Sequence, residues 1–442
     1  MKICIRDARI FLPEGSLYQG DLLIENGTIS QIDRRVDSPH LDEVIEANGQ
    51  VLLPGVIDPQ VHFREPGKEH KEDLQTGSHA CARGGVTSFL EMPNTDPLTI
   101  SQATLDDKLA RAASKCVVNY GFFIGATASN LAALQAIRGA CGIKIFMGSM
   151  QGDLLVGDPA ILETIFAHTS QLIAVHAESQ ARILERRALW VGQSDVALHS
   201  QIQDDQAALQ ATQLALRLSI QYRHRLHILH LSTALEVDCL AQQKPAWVTA
   251  EVTPQHLLLS TEDYAKLGSL AQMNPPLRDP QDCQRLWEGL HTGVIDMIAT
   301  DHAPHTLTEK ALPYPQSPSG MPGVETALPL MLTAMQAGRC TLPQVVRWMC
   351  EAPARGYGIR QKGKIQVGWD ADLVLVNLEE SRPVVREELL TKCGWSPFEG
   401  WLLTGWPSLT LVGGQIAFQS GRINLATRGQ ALQFHPADFP YI

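Results

Sequence analysis

The sequence predicts an α/β fold, a parallel sheet with crossover helices, accompanied by a small β-sandwich domain built from both termini. Three observations carry this. The middle of the chain alternates strand-like apolar runs with stretches of helical spacing. Both ends read as short strands joined by tight turns. Ligand-type polar residues recur just where the central strands finish. At 442 residues the chain has room for about three average domains, although an α/β barrel absorbs most of such a length as one.

Taken in order, residues 1 to 53 come first. Asp21–Glu25 and Thr28–Ile32 flank Asn26-Gly27, a pair that supplies the positive φ angles of a two-residue hairpin. In the middle, Leu172–Val175 is a short apolar run, Gln206–Ile220 has helical spacing, and Leu226–Leu229 is strand-like. Ala234–Gln243 is helical, Trp247–Val252 strand-like, and Val294–Ala299 the last clear strand. Towards the C-terminus, Ala371–Val376 and Leu409–Val412 are strand-like, and Gly413-Gly414 turns the latter into Gln415–Phe418. Domain ends often lie close together, so the two β-rich ends are expected to form one domain. The expected division is 1–53 with 365–442 for the β domain, and 54–364 for the α/β part.

Composition excludes several classes. Lys and Arg number 36 against 47 Asp and Glu, a formal net charge of −11 with no basic run, so nucleic acid and anionic membrane surfaces are not expected partners. The nine cysteines form no C-x-x-C pair, which argues against a disulfide scaffold or zinc ribbon and for a reducing, cytoplasmic setting. No window holds 18 uninterrupted apolar residues, and no secretory signal is apparent. Gly84-Gly85 reads as a turn, not a phosphate loop.

The strand ends carry the chemistry. Val56–Val61 runs into His62, and Lys144 sits in the apolar run Gly142–Phe146. Val175 is followed by His176 and Glu178, Leu229 by His230, and Ala299-Thr300 by Asp301. In a (β/α)8 barrel the site is assembled from the C-terminal ends of different strands. Imidazoles and a carboxylate there suit a metal centre. Each has a structural alternative: a hydrogen-bonded histidine, a snorkelling lysine, a helix-capping aspartate. The joint pattern favours the site.

In Asp58-Pro59-Gln60-Val61-His62-Phe63-Arg64-Glu65-Pro66-Gly67, Lys144, His176, His230 and Asp301 the chain resembles the amidohydrolase superfamily. More narrowly it is similar to dihydroorotases of the class I type. The added segments are Met92-Pro93-Asn94, Asn274-Pro275-Pro276-Leu277-Arg278, Thr300–His305, Gly320–Thr326 and Gly394–Phe398, spread over nearly the whole chain. The resemblance implies a (β/α)8 barrel and reversible hydrolysis of L-dihydroorotate to N-carbamoyl-L-aspartate, a step of de novo pyrimidine synthesis. It also implies one or two zinc ions on His62, Lys144, His176, His230 and Asp301. A bound divalent metal lowers the pKa of its water towards about 7. Asp301 takes the position of the general base, and Lys144 that of a bridging carbamate, with Asp153 as an alternative bridge. Arg64, Asn94, Asn274 and His305 match the substrate contacts, and Ser319-Gly320 is a weaker match. The structural alternatives are pairing of Arg64 with Glu65 and turn-capping by the two asparagines.

One position departs from the pattern. Gln60 stands where the superfamily's first metal histidine falls, and an amide oxygen is a weaker zinc ligand than imidazole. Three expectations therefore stand side by side. The first is an active enzyme with two metals or one. The second is a catalytically silent homologue that partners aspartate transcarbamoylase. The third is a hydantoinase or dihydropyrimidinase type of cyclic amidase. A homodimer is a further expected assembly. The Pro- and Ser-rich stretch from Pro304 to Gly323 is a candidate loop over the substrate.

Overall fold

The computed structural model describes residues 1–435. The expected β-domain range to 442 thus ends outside the described residues. Strands from the two ends of the chain hydrogen-bond into one nine-stranded sheet. Lys2–Phe11 pairs antiparallel with Leu17–Glu25, which pairs with Thr28–Asp33 through the Asn26-Gly27 turn, both residues at positive φ. The seam between the two ends is Val51–Pro54 against Leu373–Val376, with Leu373 opposite Pro54 and Val376 opposite Val51. Pro407–Val412, Gln415–Gln419 and Arg422–Ile423 complete the far side. The pleat sends alternate residues inward. Ile3, Ile5, Ile10, Leu22, Ile24, Leu52, Leu373, Leu375, Leu409 and Leu411 accordingly form one buried cluster.

Between the two halves of this sheet the chain makes a closed barrel. Its parallel strands are Val56–Val61, Val86–Glu91, Asn119–Phe122 continuing as Ile124–Gly125, Ile143–Phe146, Ile173–His176, Leu226–Ile228, Val248–Val252 and Met297–Ile298. Parallel ladders join them as a three-stranded and a six-stranded segment. The third strand, interrupted at Phe123, belongs to both. Closure comes from a parallel bridge between Val61 and His302, where the His62 amide donates to the His302 carbonyl at 2.7 Å. This is the (β/α)8 barrel, and its eight strand ends point to one face.

The helices start where the sequence supplies caps. Thr233 and Glu236 form a capping box at the head of Ala234–Gln243. Asp204 caps Asp205–Tyr222, and Arg223 closes that helix in the left-handed region. The final strand is shorter than the sequence suggests. Val294 to Asp296 serve as a connection after the Gly293 cap, with Asp296 accepting from Lys244 and the Ala250 amide. The apolar run there is set by packing of Ile295 into the core rather than by strand pairing. Among the described residues all nine cysteines are free thiols, and no helix is long and apolar enough to cross a membrane.

Candidate active site

Asp58, Gln60 and His62 alternate along the first barrel strand, so they share the face turned to the barrel axis. Lys144 comes from the fourth strand, His176 ends the fifth, and His230 and Asp301 follow the sixth and eighth. Gln60, His62, Lys144, His176, His230 and Asp301, with Arg64, Asn94, Asn274, Ser319 and Gly320, line one cavity of about 120 Å3 at the C-terminal end of the barrel. A larger cavity of about 560 Å3 lies at the opposite end, lined by Asn26, Asn119, Lys362 and Gln430. It holds none of the strand-end residues. Four residues at the chemical cavity, Arg64, Ser149, His230 and Asp301, are non-glycine residues at φ between +36° and +66°. Such backbone is held only where its surroundings over-determine it, and it clusters at functional sites.

The donors come as two pairs. His62 Nε2 lies 3.1 Å from Asp301 Oδ1, and the Gln60 amide donates to the same oxygen at 3.0 Å. His176 Nδ1 lies 2.9 Å from His230 Nε2. Both pairs are poised on tautomers. His62 Nδ1 faces the Asn94 carbonyl oxygen at 2.7 Å, which assigns the ring proton to Nδ1 and turns a lone pair on Nε2 towards Asp301. His176 Nε2 faces Glu178 at 2.7 Å, which turns its Nδ1 lone pair towards His230. Burial opposes the charge of Glu178, but its bonds to His176 and Ser149 and the charge of Arg278 hold it below the usual carboxylate range. Burial pushes His62 down and His230 well down, so both rings are neutral.

At His62 a ring lone pair set against a carboxylate oxygen is satisfied by a cation between them, and at His176 and His230 the two ring nitrogens fit a shared cation as well as a shared proton. Two tetrahedral zinc ligands span about 3.3 Å at bond lengths of about 2.0–2.1 Å, close to both pair separations. Three buried polar atoms here have no partner: Lys144 Nζ, His230 Nδ1 and Gln60 Oε1. Among the described residues no three His, Cys, Asp or Glu side chains converge on one point. Lys144 is the group placed to join the pairs: it lines the same cavity, and its charge bears on both His62 and His230. Its amine is 1 % exposed, lies 4.5 Å from the Phe146 ring centre, and is held down to about 7 by burial. The residues present therefore fit a divalent metal, and Lys144 is a buried amine without a hydrogen-bond partner beside them. Gln60 spends its amide on Asp301 and turns an unpartnered oxygen inward. Asp153, the alternative bridge, is exposed on a 3-10 turn and is excluded from the site by position.

The substrate-type residues converge as well. Arg64 is buried, donates to the Pro304 carbonyl at 3.2 Å, and lies 3.3 Å from His305 Nε2. No carboxylate among the described residues lies within ion-pair distance of it. Glu65, the expected alternative partner, instead pairs with Lys115 and accepts from the Leu74 amide. Asn94 and Asn274 are not turn caps. Their carbonyl oxygens face His62 and His199, the latter at 2.8 Å, which leaves their amide N–H groups for a ligand.

Sequence reasoning missed the residues that orient these side chains. Asp58 accepts from the Thr300 hydroxyl and amide and so ties the first strand to the turn carrying Asp301; burial raises its carboxyl to about 7. The His-x-Glu spacing of His176 and Glu178 and the alternation of Asp58 with Gln60 were available signals. His199 had none, because Asn274 is 75 residues away. His227, on the sixth barrel strand, is structural: it is fully buried against Glu251 and Thr249.

Comparison with known proteins gives a consistent picture. The amidohydrolase family model matches residues 51–417. A dihydroorotase of Methanosarcina acetivorans is 36 % identical, covering 98 % of this chain and 95 % of its own. One from Bacillus cytotoxicus is 34 % identical over 95 % and 99 %. Among solved structures, the L-hydantoinase (dihydropyrimidinase) of Arthrobacter aurescens superposes with a TM-score of 0.93 at 29 % identity, covering 97 % of this chain and 99 % of that one.

Proposed function

The chain belongs to the amidohydrolase family, and from that premise we propose that it hydrolyses a cyclic amide, L-dihydroorotate, reversibly to N-carbamoyl-L-aspartate. The observation that carries the substrate is Arg64. A buried guanidinium with no carboxylate partner, facing a cavity, calls for an anion from the ligand. Dihydroorotate has a carboxylate where hydantoin and dihydrouracil rings have none. The likeness to hydantoinase structures reports the shared barrel; the substrate-side residues and the relatives at 34–36 % identity favour dihydroorotate.

His176 and His230 would hold one metal, His62 and Asp301 another, with Gln60 a weak neighbour and Lys144, as its CO2 adduct, the bridge. The cofactor we propose is zinc, which when bound polarises the ring carbonyl and supplies a water of lowered pKa. The Arg64 fork takes the substrate carboxylate, and the Asn94 and Asn274 amides and His305 complete its contacts. Asp301 accepts the proton of the attacking water at its carboxylate and returns it to the departing ring nitrogen. His62 and Gln60, both against Oδ1, orient that carboxylate. The step belongs to de novo pyrimidine synthesis, in the cytoplasm.

The test is dihydroorotate hydrolysis by the zinc-supplemented protein, with Asp301→Ala as the blank and dihydrouracil as a second substrate. Activity on dihydroorotate that vanishes in the variant supports the enzyme and shows Gln60 to be tolerated. No activity on either ring would favour the silent partner of aspartate transcarbamoylase, for which Gln60 speaks, and Gln60→His would then be the rescue.

A further inference from the structure

We propose that Lys310 is a positioning residue that clamps the cavity-lining segment Ser317–Gly320 to the segment carrying Asn274, and so sets substrate affinity. Lys310 ends the short helix Leu307–Lys310 and is 1 % exposed. An ammonium has three donors and no acceptor. Here it meets three backbone carbonyls: Gln272 at 2.9 Å, Pro318 at 2.9 Å and Gly320 at 3.2 Å. Among the described residues no carboxylate pairs with it. The Trp395 ring lies 5.8 Å away. A buried cation matched donor for donor by carbonyls of two segments is a tie between them.

The two segments are stitched further. The Gly320 amide donates to the Gln272 carbonyl, and the Gln272 side chain bonds Ser317 and Ser319. Gly320 stands at φ +142°, where a Cβ would come within 2.4 Å of the Ala303 carbonyl oxygen, so the segment runs flush against the barrel mouth. Two residues beyond Gln272, Asn274 is held by His199. The Pro- and Ser-rich loop that the sequence marks as a candidate cover is thus pinned from beneath by Lys310. Without that charge, three inward carbonyls would lose their shared donor, and Ser319, Gly320 and Asn274 would lose their common frame.

The clamp also carries a pH dependence. Burial lowers the Lys310 amine to about 7. The titratable groups around it are His199 and His305, both held neutral by burial, and Glu309, which turns to Lys71 instead. Below pH 7 the ammonium serves all three carbonyls; above it, a neutral amine has two donors and turns a lone pair towards the third.

The inference rests on the dihydroorotate reading, so the experiment has one arm that needs no substrate. Lys310→Met keeps the bulk and removes the donors. In hydrogen exchange at pH 6.5, the Gly320 amide, which donates to the Gln272 carbonyl, should lose at least tenfold protection in the variant while the barrel strands keep theirs. Unchanged protection overturns the clamp whatever the enzyme hydrolyses. With dihydroorotate, the variant should raise KM about tenfold with kcat within about threefold. Wild-type KM should climb severalfold between pH 6.5 and 8.5, and the variant should not follow. A parallel fall of kcat, or a variant that keeps the wild-type pH slope, refutes the proposal. Should Lys310→Met fail to fold, the wild-type profile decides: a flat KM across that range overturns it.

Discussion

Each side chain at the barrel mouth is legible as a type, but its role depends on what it leaves unpaired. Arg64 could have spent its charge on Glu65. Because Glu65 pairs with Lys115, the guanidinium is left facing the cavity. Arg64→Met should therefore cut kcat/KM for dihydroorotate roughly 100- to 1000-fold, the cost of leaving a charged group without its fork. Activity on dihydrouracil, which lacks the carboxylate, should change little, and parallel assays on the two rings check this. A loss shared equally by both would move Arg64 from recognition to architecture. The metal-type residues were readable because strand-end position and residue type coincide. Asp58 and Glu178 stand at readable spacings and His199 at none, but what all three do is orient a neighbour through bonds that only the fold creates.

At the scale of elements, strands and caps were mostly written locally. Asn26-Gly27, the Thr233 and Glu236 box and the Asp204 cap are short-range signals, and the fold uses each. The eighth strand was overread because an apolar run serves a loop over the core as well as a strand. One element-level feature had no local signal. Lys108, on the helix Gln102–Lys115, reaches Glu91 at the end of the second barrel strand, 2.6 Å apart and both buried. Glu91 also accepts the Phe63 amide, between His62 and Arg64. The pair thus holds the backbone from which two site residues project. Lys108→Met strands a buried carboxylate and should cost about 3–5 kcal/mol in chemical denaturation. Changing both partners to apolar residues should recover part of that, and the double variant measures the coupling.

At the scale of the molecule, the barrel and the two-ended sheet make one framework. We propose that residues 1–53 and the described part of 365–442, up to residue 435, form the smaller domain; the seam of Val51–Pro54 with Leu373–Val376 supports that division. The barrel gathers neutral imidazoles, a carboxylate and an unpartnered amine at one end, an arrangement that a metal stabilises in the folded state alone. Removing metal with a chelator should therefore lower the melting temperature by several degrees, since saturation at about 100 times the dissociation constant contributes about 2.7 kcal/mol. Zinc should restore it. A melting curve indifferent to both would favour the silent homologue.

The sequence by itself determined the fold class, the strand-end positions of His62, Lys144, His176, His230 and Asp301, and the family. Those follow from periodicity, turn chemistry and short motifs, which are properties of neighbours along the chain. The tertiary structure alone decided that Gln60 bonds Asp301, that Asp153 stays outside, that Arg64 is left without a carboxylate, and that Lys310 ties down the loop beside the cavity. These are matters of which buried donor meets which acceptor, and partners tens to hundreds of residues apart meet only when the barrel closes.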